Sequence, residues 1–154
     1  MSDIHIEDFC KDVAKILVQL YTVFPRRTSV YVEDIAGEDN PDEYGLHGDR
    51  HMACFGAMIW LAEENYIRYV DTIRQEAVDQ AILTHKALNL LSRICNDSRI
   101  LHHDTSLDEH TLRGLPQDVA TDRKTHINIL REVIAGGSST RISRVVQRLI
   151  LELN

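Results

Sequence analysis

Apolar residues in the first segment recur at spacings of three and four: Ile6, Phe9, Cys10, Val13, Ile16, Leu17, Leu20, Tyr21 and Phe24. This is one stripe on an α-helix, which Pro25 stops. Val30-Tyr31-Val32 is β-branched and aromatic, a strand fragment leading into one or two helical turns that Gly37 ends. From Gly37 to Gly48 the chain is acidic and holds the turn formers Asp39-Asn40-Pro41-Asp42, so an exposed loop is expected. Asp49 is placed to cap a helix running through Met52, Cys54, Phe55, Met58, Ile59, Trp60 and Leu61 to Glu64, with Asn65 finishing it in the left-handed conformation. Tyr66 to Val70 reads as a strand, Asp71 to Glu76 as a polar turn, and Ala77 to Leu83 as the returning strand of a β-hairpin. Thr84 then caps a helix whose Leu88, Leu91, Ile94 and Cys95 keep helical spacing.

The second half is less regular. Asn96 to Gln117 is polar, broken by Gly114 and Pro116, with only Ile100, Leu101, Leu107, Leu112 and Leu115 to bury. It reads as a loosely packed connection. Val119 to Ala135 predicts a helix carrying Ile127, Leu130, Val133 and Ile134, and Gly136-Gly137-Ser138-Ser139 a break. Ile142, Val145, Val146, Leu149, Ile150 and Leu153 then make a last apolar stripe. The expected architecture is mainly α with a small β-hairpin, divided into residues 1–95, a linker 96–118 and a helical pair 119–154.

Composition narrows the class. At 154 residues, 44% apolar and 27% charged, the chain has the balance of a soluble globular domain. A net charge of −7 repels phosphate backbones and anionic lipid, so any nucleic-acid contact must be local. Cys10, Cys54 and Cys95 are widely spaced in apolar stretches and form no CxxC motif, which predicts buried thiols in a reducing compartment. The start is polar and acidic, and no apolar run approaches the roughly 18 residues that span a bilayer, so a cytoplasmic protein without a membrane partner is expected.

The run Trp60-Leu61-Ala62-Glu63-Glu64-Asn65-Tyr66-Ile67-Arg68, the hairpin after it, and Leu83-Thr84-His85-Lys86-Ala87-Leu88 resemble the winged helix-turn-helix superfamily over residues 7 to 95. Asn65 and Ala87 stand where that pattern usually has glycine. The resemblance implies a winged-helix domain with Asp49 to Glu64 as recognition helix and Asp71 to Glu76 as wing. With its helical tail, the layout also looks like the small middle subunits that accompany ATPases of the chromosome-maintenance type, including those of defence systems.

The recognition-helix position lacks the residues of a DNA reader. Every residue from Met52 to Ala62 is apolar or glycine, and no Lys or Arg occurs from His51 to Ile67. At about 100° per residue this surrounds the helix with hydrophobic atoms, the pattern of a helix buried on all sides. Between Thr28 and Asp49 stand seven acids, Glu33, Asp34, Glu38, Asp39, Asp42, Glu43 and Asp49, and no Lys or Arg. Each approach of like charges to ~4 Å costs on the order of 4 kcal/mol at an effective dielectric near 20, before salt screening. These features predict a non-catalytic protein-interaction subunit, a homodimer or an accessory piece of a larger nucleic-acid-processing or defence assembly. Its adhesive residues are Met52, Phe55, Ile59, Trp60, Ile142, Val146 and Leu149. The alternative is a DNA-binding regulator that uses Arg50, His51, Arg68 and Arg74, with DNA contact weak or indirect; Arg123, Lys124, Arg131, Arg141, Arg144 and Arg148 add local basic character.

Other chemistry is thin. His102, His103, Asp104, Glu109 and His110 gather ligand types at no established metal spacing and read as a solvated loop. Cys54 lies near His51, but an apolar helix raises a thiol pKa and hides the sulfur. Gly136 to Arg141 has the look of an anion-binding helix start, yet it lacks the P-loop lysine, and a glycine stop followed by a Ser or Thr cap accounts for it. No enzyme, small-molecule substrate, cofactor or metal is expected.

Overall fold

The structure, a computed structural model, describes residues 3–105 and 113–153. Leu107, Glu109, His110 and Leu112 lie outside the described residues. The architecture is mainly helical with a small four-stranded antiparallel sheet. Two compact units emerge: Lys15–Leu88, and a second made of Met1–Ala14 together with Asn89–Asn154. They divide the chain at other places than the compositional boundaries at 95 and 118.

Helix α1 (Ile4–Val23) contributes to both units and buries the stripe its spacing predicts, including Cys10, Val13, Ile16, Leu17 and Leu20. In the Lys15–Leu88 unit it is followed by β1 (Thr28–Tyr31), α2 (Val32–Ala36), α3 (Asp49–Glu63), β2 (Ile67–Arg68), β3 (Asp71–Ile73) and β4 (Ala77–Leu83), and α4 (His85–Ser92) begins here. Gly37, at φ 91°, ends α2 in a conformation costly for residues with a Cβ. Strand β4 is the common partner. It pairs with β1 through Val30↔Val78 and Tyr31↔Ala77, with β3 through Asp71↔Asp79 and Ile73↔Ala77, and with β2 through Ile67↔Leu83.

The hairpin turn is shorter than the polarity of Asp71 to Glu76 implies. Thr72 and Ile73 are strand formers and pair with Val78 and Ala77, leaving only residues 74–76 as the turn, with Arg74 at φ 51°. Where β1 and β4 shift register, Gln80 takes φ 53° and its carbonyl accepts a hydrogen bond from Arg27 Nη1 at 3.1 Å. At the other end of β4, the Thr84 hydroxyl donates to the Asn65 carbonyl at 2.6 Å and accepts from the Ala87 N–H at 3.2 Å. One buried side chain thereby fixes both the exit from α3 and the start of α4.

In the other unit, the single helix expected over Val119 to Ala135 is two, α5 (Gln117–Arg123) and α6 (His126–Gly136). The break has a hydrogen-bonding cause. Cys95 N–H donates to the Lys124 carbonyl and His126 N–H to the Arg93 carbonyl, each at 2.8 Å, while Ile94 and Thr125 form an isolated bridge. The Asp122 carbonyl is taken by Thr125 Oγ1 at 2.8 Å and Asn128 Nδ2 at 2.7 Å. Backbone groups that would carry the helix onward are committed sideways. Gly137, at φ 75°, ends α6, and Ser138 Oγ accepts from Arg141 N–H to cap α7 (Ser139–Leu149), the stop-and-cap arrangement expected there.

Part of the expected loose connection is packed. Ile100–Asp104 forms one π-helical turn with Ile100 fully buried. Asp104 pairs with Arg144, and Asp97 accepts from Arg148 Nη1 at 3.0 Å, so α7 holds this turn by two ion pairs. Cys10, Cys54 and Cys95 are buried thiols, and burial pushes the Cys10 and Cys95 pKa values up. Among the described residues no helix is long and apolar enough to cross a membrane.

Candidate functional site

The features that bear on function in the Lys15–Leu88 unit are the outer face of α3 and the loop that leads into it. Helix α3 turns His51, Cys54, Ala57, Met58 and Leu61 fully inward. Met52, Phe55, Ile59 and Trp60 are half-buried, and Ala53 and Gly56 are exposed between them. The helix is therefore not buried on all sides within this chain. Its all-apolar composition instead leaves an outer strip of hydrophobic atoms in which a Cβ built at Gly56 would meet nothing within 4 Å. At the end of α3, Asn65 at φ 65° reverses the chain, and the Trp60 and Tyr66 rings stack with centroids 6.2 Å apart. Lys86 Nζ lies 4.2 Å from the Tyr66 ring centroid and donates to the Glu64 carbonyl, closing that end of the strip.

The acidic loop before α3 has internal order that its composition conceals. Asp42 Oδ1 accepts from the N–H groups of Tyr44 and Leu46, both at 2.9 Å, and Gly45, at φ 77°, completes the turn by donating to the Asp42 carbonyl. Asp39 reaches across to the loop's far end: Oδ1 accepts from Gly48 N–H at 3.2 Å, and Oδ2 lies 2.8 Å from His47 Nδ1. Burial pulls the Asp39 pKa up, but the hydrogen bonds from His47 and Gly48 and the nearby His51 outweigh it and leave the carboxyl below its ordinary value. Glu33, Asp34, Glu38, Asp42, Glu43 and Asp49 are exposed around this loop.

His51, in the first turn of α3, is 4% exposed, and its Nε2 lies 2.8 Å from the Gln75 carbonyl. It presents no outward surface for DNA, because its ring is committed to the hairpin turn and stacks on His47 at 3.8 Å with 4° between planes. Asp39, His47 and His51 each offer a ligand atom, all within 4.8 Å of one another. Nothing in the acidic, turn-rich composition singles out the first two. The only signal is the four-residue interval between His47 and His51, read together with an upstream acid.

The remaining expected residues fall as follows. Arg68 and Arg74 are exposed on the hairpin and Arg50 is half-buried. Ile142, Val146 and Leu149, expected as a docking stripe, are buried within the chain at 1%, 0% and 5% exposure, so α7 spends that stripe on internal packing. His102 and His103 are exposed, whereas Asp104 is buried against Arg144. A cavity of about 300 Å³ lies beside it, with Glu132 and Arg141 in its lining.

Comparison with known proteins gives no match to any family model, curated sequence or solved structure.

Proposed function

We propose that this chain is a non-catalytic winged-helix subunit that works by binding protein through the outer face of α3. The element order α1, β1, α2, α3, hairpin, α4, with β4 between β1 and the β2–β3 edge, supports a winged-helix reading. The observation that carries the function is the strip Met52, Ala53, Phe55, Gly56, Ile59 and Trp60, which lies beside an acidic loop in a stretch with no Lys or Arg from His51 to Ile67. Such a surface loses water favourably against apolar side chains, and the acids at its edge select a partner with basic groups. The partner is a second copy or a different chain, in keeping with an accessory subunit of a larger assembly such as those of chromosome-maintenance ATPases.

The test is Ile59→Glu and Phe55→Glu in the full chain, followed by light scattering over a concentration series and by co-purification from the native host. Loss of assembly with unchanged circular dichroism is expected. Assembly retained by both variants overturns the proposal. A second reading, a DNA-binding regulator, is favoured by the exposed Arg68 and Arg74 on the hairpin. Gel-shift titration at two salt concentrations separates the two: tight, steeply salt-dependent binding that Arg68→Ala and Arg74→Ala weaken supports the regulator.

A further inference from the structure

We propose that Asp39, His47 and His51 form a site for a zinc-type divalent ion that ties the acidic loop to the start of α3. The decisive group is His51. A carbonyl oxygen only accepts, so the 2.8 Å contact with Gln75 assigns the hydrogen to Nε2. Nδ1 is then the ring nitrogen that faces Asp39. It is buried, has no hydrogen-bond partner, and lies 3.7 Å from Asp39 Oδ2. A buried nitrogen left without a partner opposite a carboxylate is satisfied by a positive charge bound at that nitrogen, a proton or a metal ion. A metal ion supplies the charge, and the Gln75 carbonyl is then the outer partner that ligating histidines characteristically use to fix ring orientation.

The distances fit. Tetrahedral coordination at about 2.0–2.1 Å places ligand atoms roughly 3.3 Å apart. The two contacts to Asp39 Oδ2, 2.8 Å from His47 Nδ1 and 3.7 Å from His51 Nδ1, lie on either side of that separation. To admit an ion, the His47 ring must turn out of its stack on His51, so that both imidazoles meet the metal in their own planes, a movement open to a residue of the loop. Ligation through His47 Nδ1 as a neutral imidazole requires its hydrogen to sit on Nε2 instead, reached by a tautomer shift or, from a protonated ring, by release of the Nδ1 proton to solvent. Two imidazoles and one carboxylate, without thiolate, suit zinc, cobalt or nickel and not calcium or magnesium, which call for oxygen ligands throughout. The surrounding acids, with no Lys or Arg between Thr28 and Asp49, add an attractive field. Three protein ligands leave a fourth position for water, and the ion's role here is to lock the loop whose other end is closed by Asp42.

The experiment is calorimetric titration of the metal-stripped full chain with zinc chloride, with cobalt(II) absorption as the reporter of tetrahedral N/O ligation. One ion per chain is expected. Zinc at about 100 times its Kd should lower the unfolding equilibrium constant about a hundredfold, and calcium or magnesium should not. His47→Ala and Asp39→Asn, both in the loop and not in the buried helix face, should each weaken zinc binding at least tenfold, roughly, while leaving circular dichroism unchanged. Absence of zinc-dependent heat and cobalt absorption overturns the proposal, as does binding that both variants retain.

Discussion

Replacing Thr84 by valine keeps the shape of the side chain and removes its hydroxyl, which isolates one polar contribution to the fold. The hydroxyl is buried, donates to Asn65 at 2.6 Å and accepts from Ala87 at 3.2 Å. Loss of a Thr cap costs about 1 kcal/mol, and leaving the Asn65 carbonyl without this donor adds about 1–2 kcal/mol, so Thr84→Val should destabilise by about 2–3 kcal/mol. Thr84→Ser keeps both hydrogen bonds and gives up one methyl, about 1 kcal/mol or less. Urea unfolding followed by the fluorescence of Trp60, the single tryptophan and a member of the same unit, measures both. With an m-value of about 2 kcal/mol/M, the valine midpoint should fall by about 1–1.5 M and the serine midpoint by under about 0.5 M. A valine variant as stable as wild type, or a serine variant as weak as valine, would refute the two-sided role of this hydroxyl.

Two further outcomes follow from burial. Ile142→Ala should cost about 2–5 kcal/mol of stability, measured by urea unfolding, because the side chain is 1% exposed; an unchanged midpoint with lost assembly would restore it as a docking residue. The buried His126 has its pKa pushed below the ordinary 6.5 by desolvation first; Arg93 adds to this and a backbone hydrogen bond with Leu90 opposes it. The folded state therefore resists the proton that the unfolded state accepts, so stability present above pH 6.5 is lost as pH falls below it toward the folded pKa. Urea midpoints at about pH 7.5 and about pH 5.5 should differ less in His126→Gln than in wild type; an identical difference would remove His126 as the source.

The elements readable in advance were those whose signal is local. The stripe of α1, the Asn65 reversal, the Thr84 cap and the Gly137–Ser138 stop and cap each depend on residues within a few positions of one another. What escaped depends on distant partners. The break between α5 and α6 is made by Arg93 and Cys95, and Ile100 is buried in a stretch whose composition is that of a linker. The apolar pattern of α7 was legible as a stripe, but whether that stripe faced inward or toward a partner was not, since periodicity fixes a face and not its occupant. The candidate metal cluster was hidden for a different reason: two of its three groups come from an irregular loop, where sequence interval says nothing about direction.

Strand β4 is the last piece of the sheet to be synthesised, yet β1, β2 and β3 all pair with it and not with one another. On the ribosome the three earlier strands must wait, edges unsatisfied, until Ala77–Leu83 has emerged. A truncation just before this stretch leaves three orphan segments instead of a partial sheet, so the sheet closes in one step, when its last strand arrives.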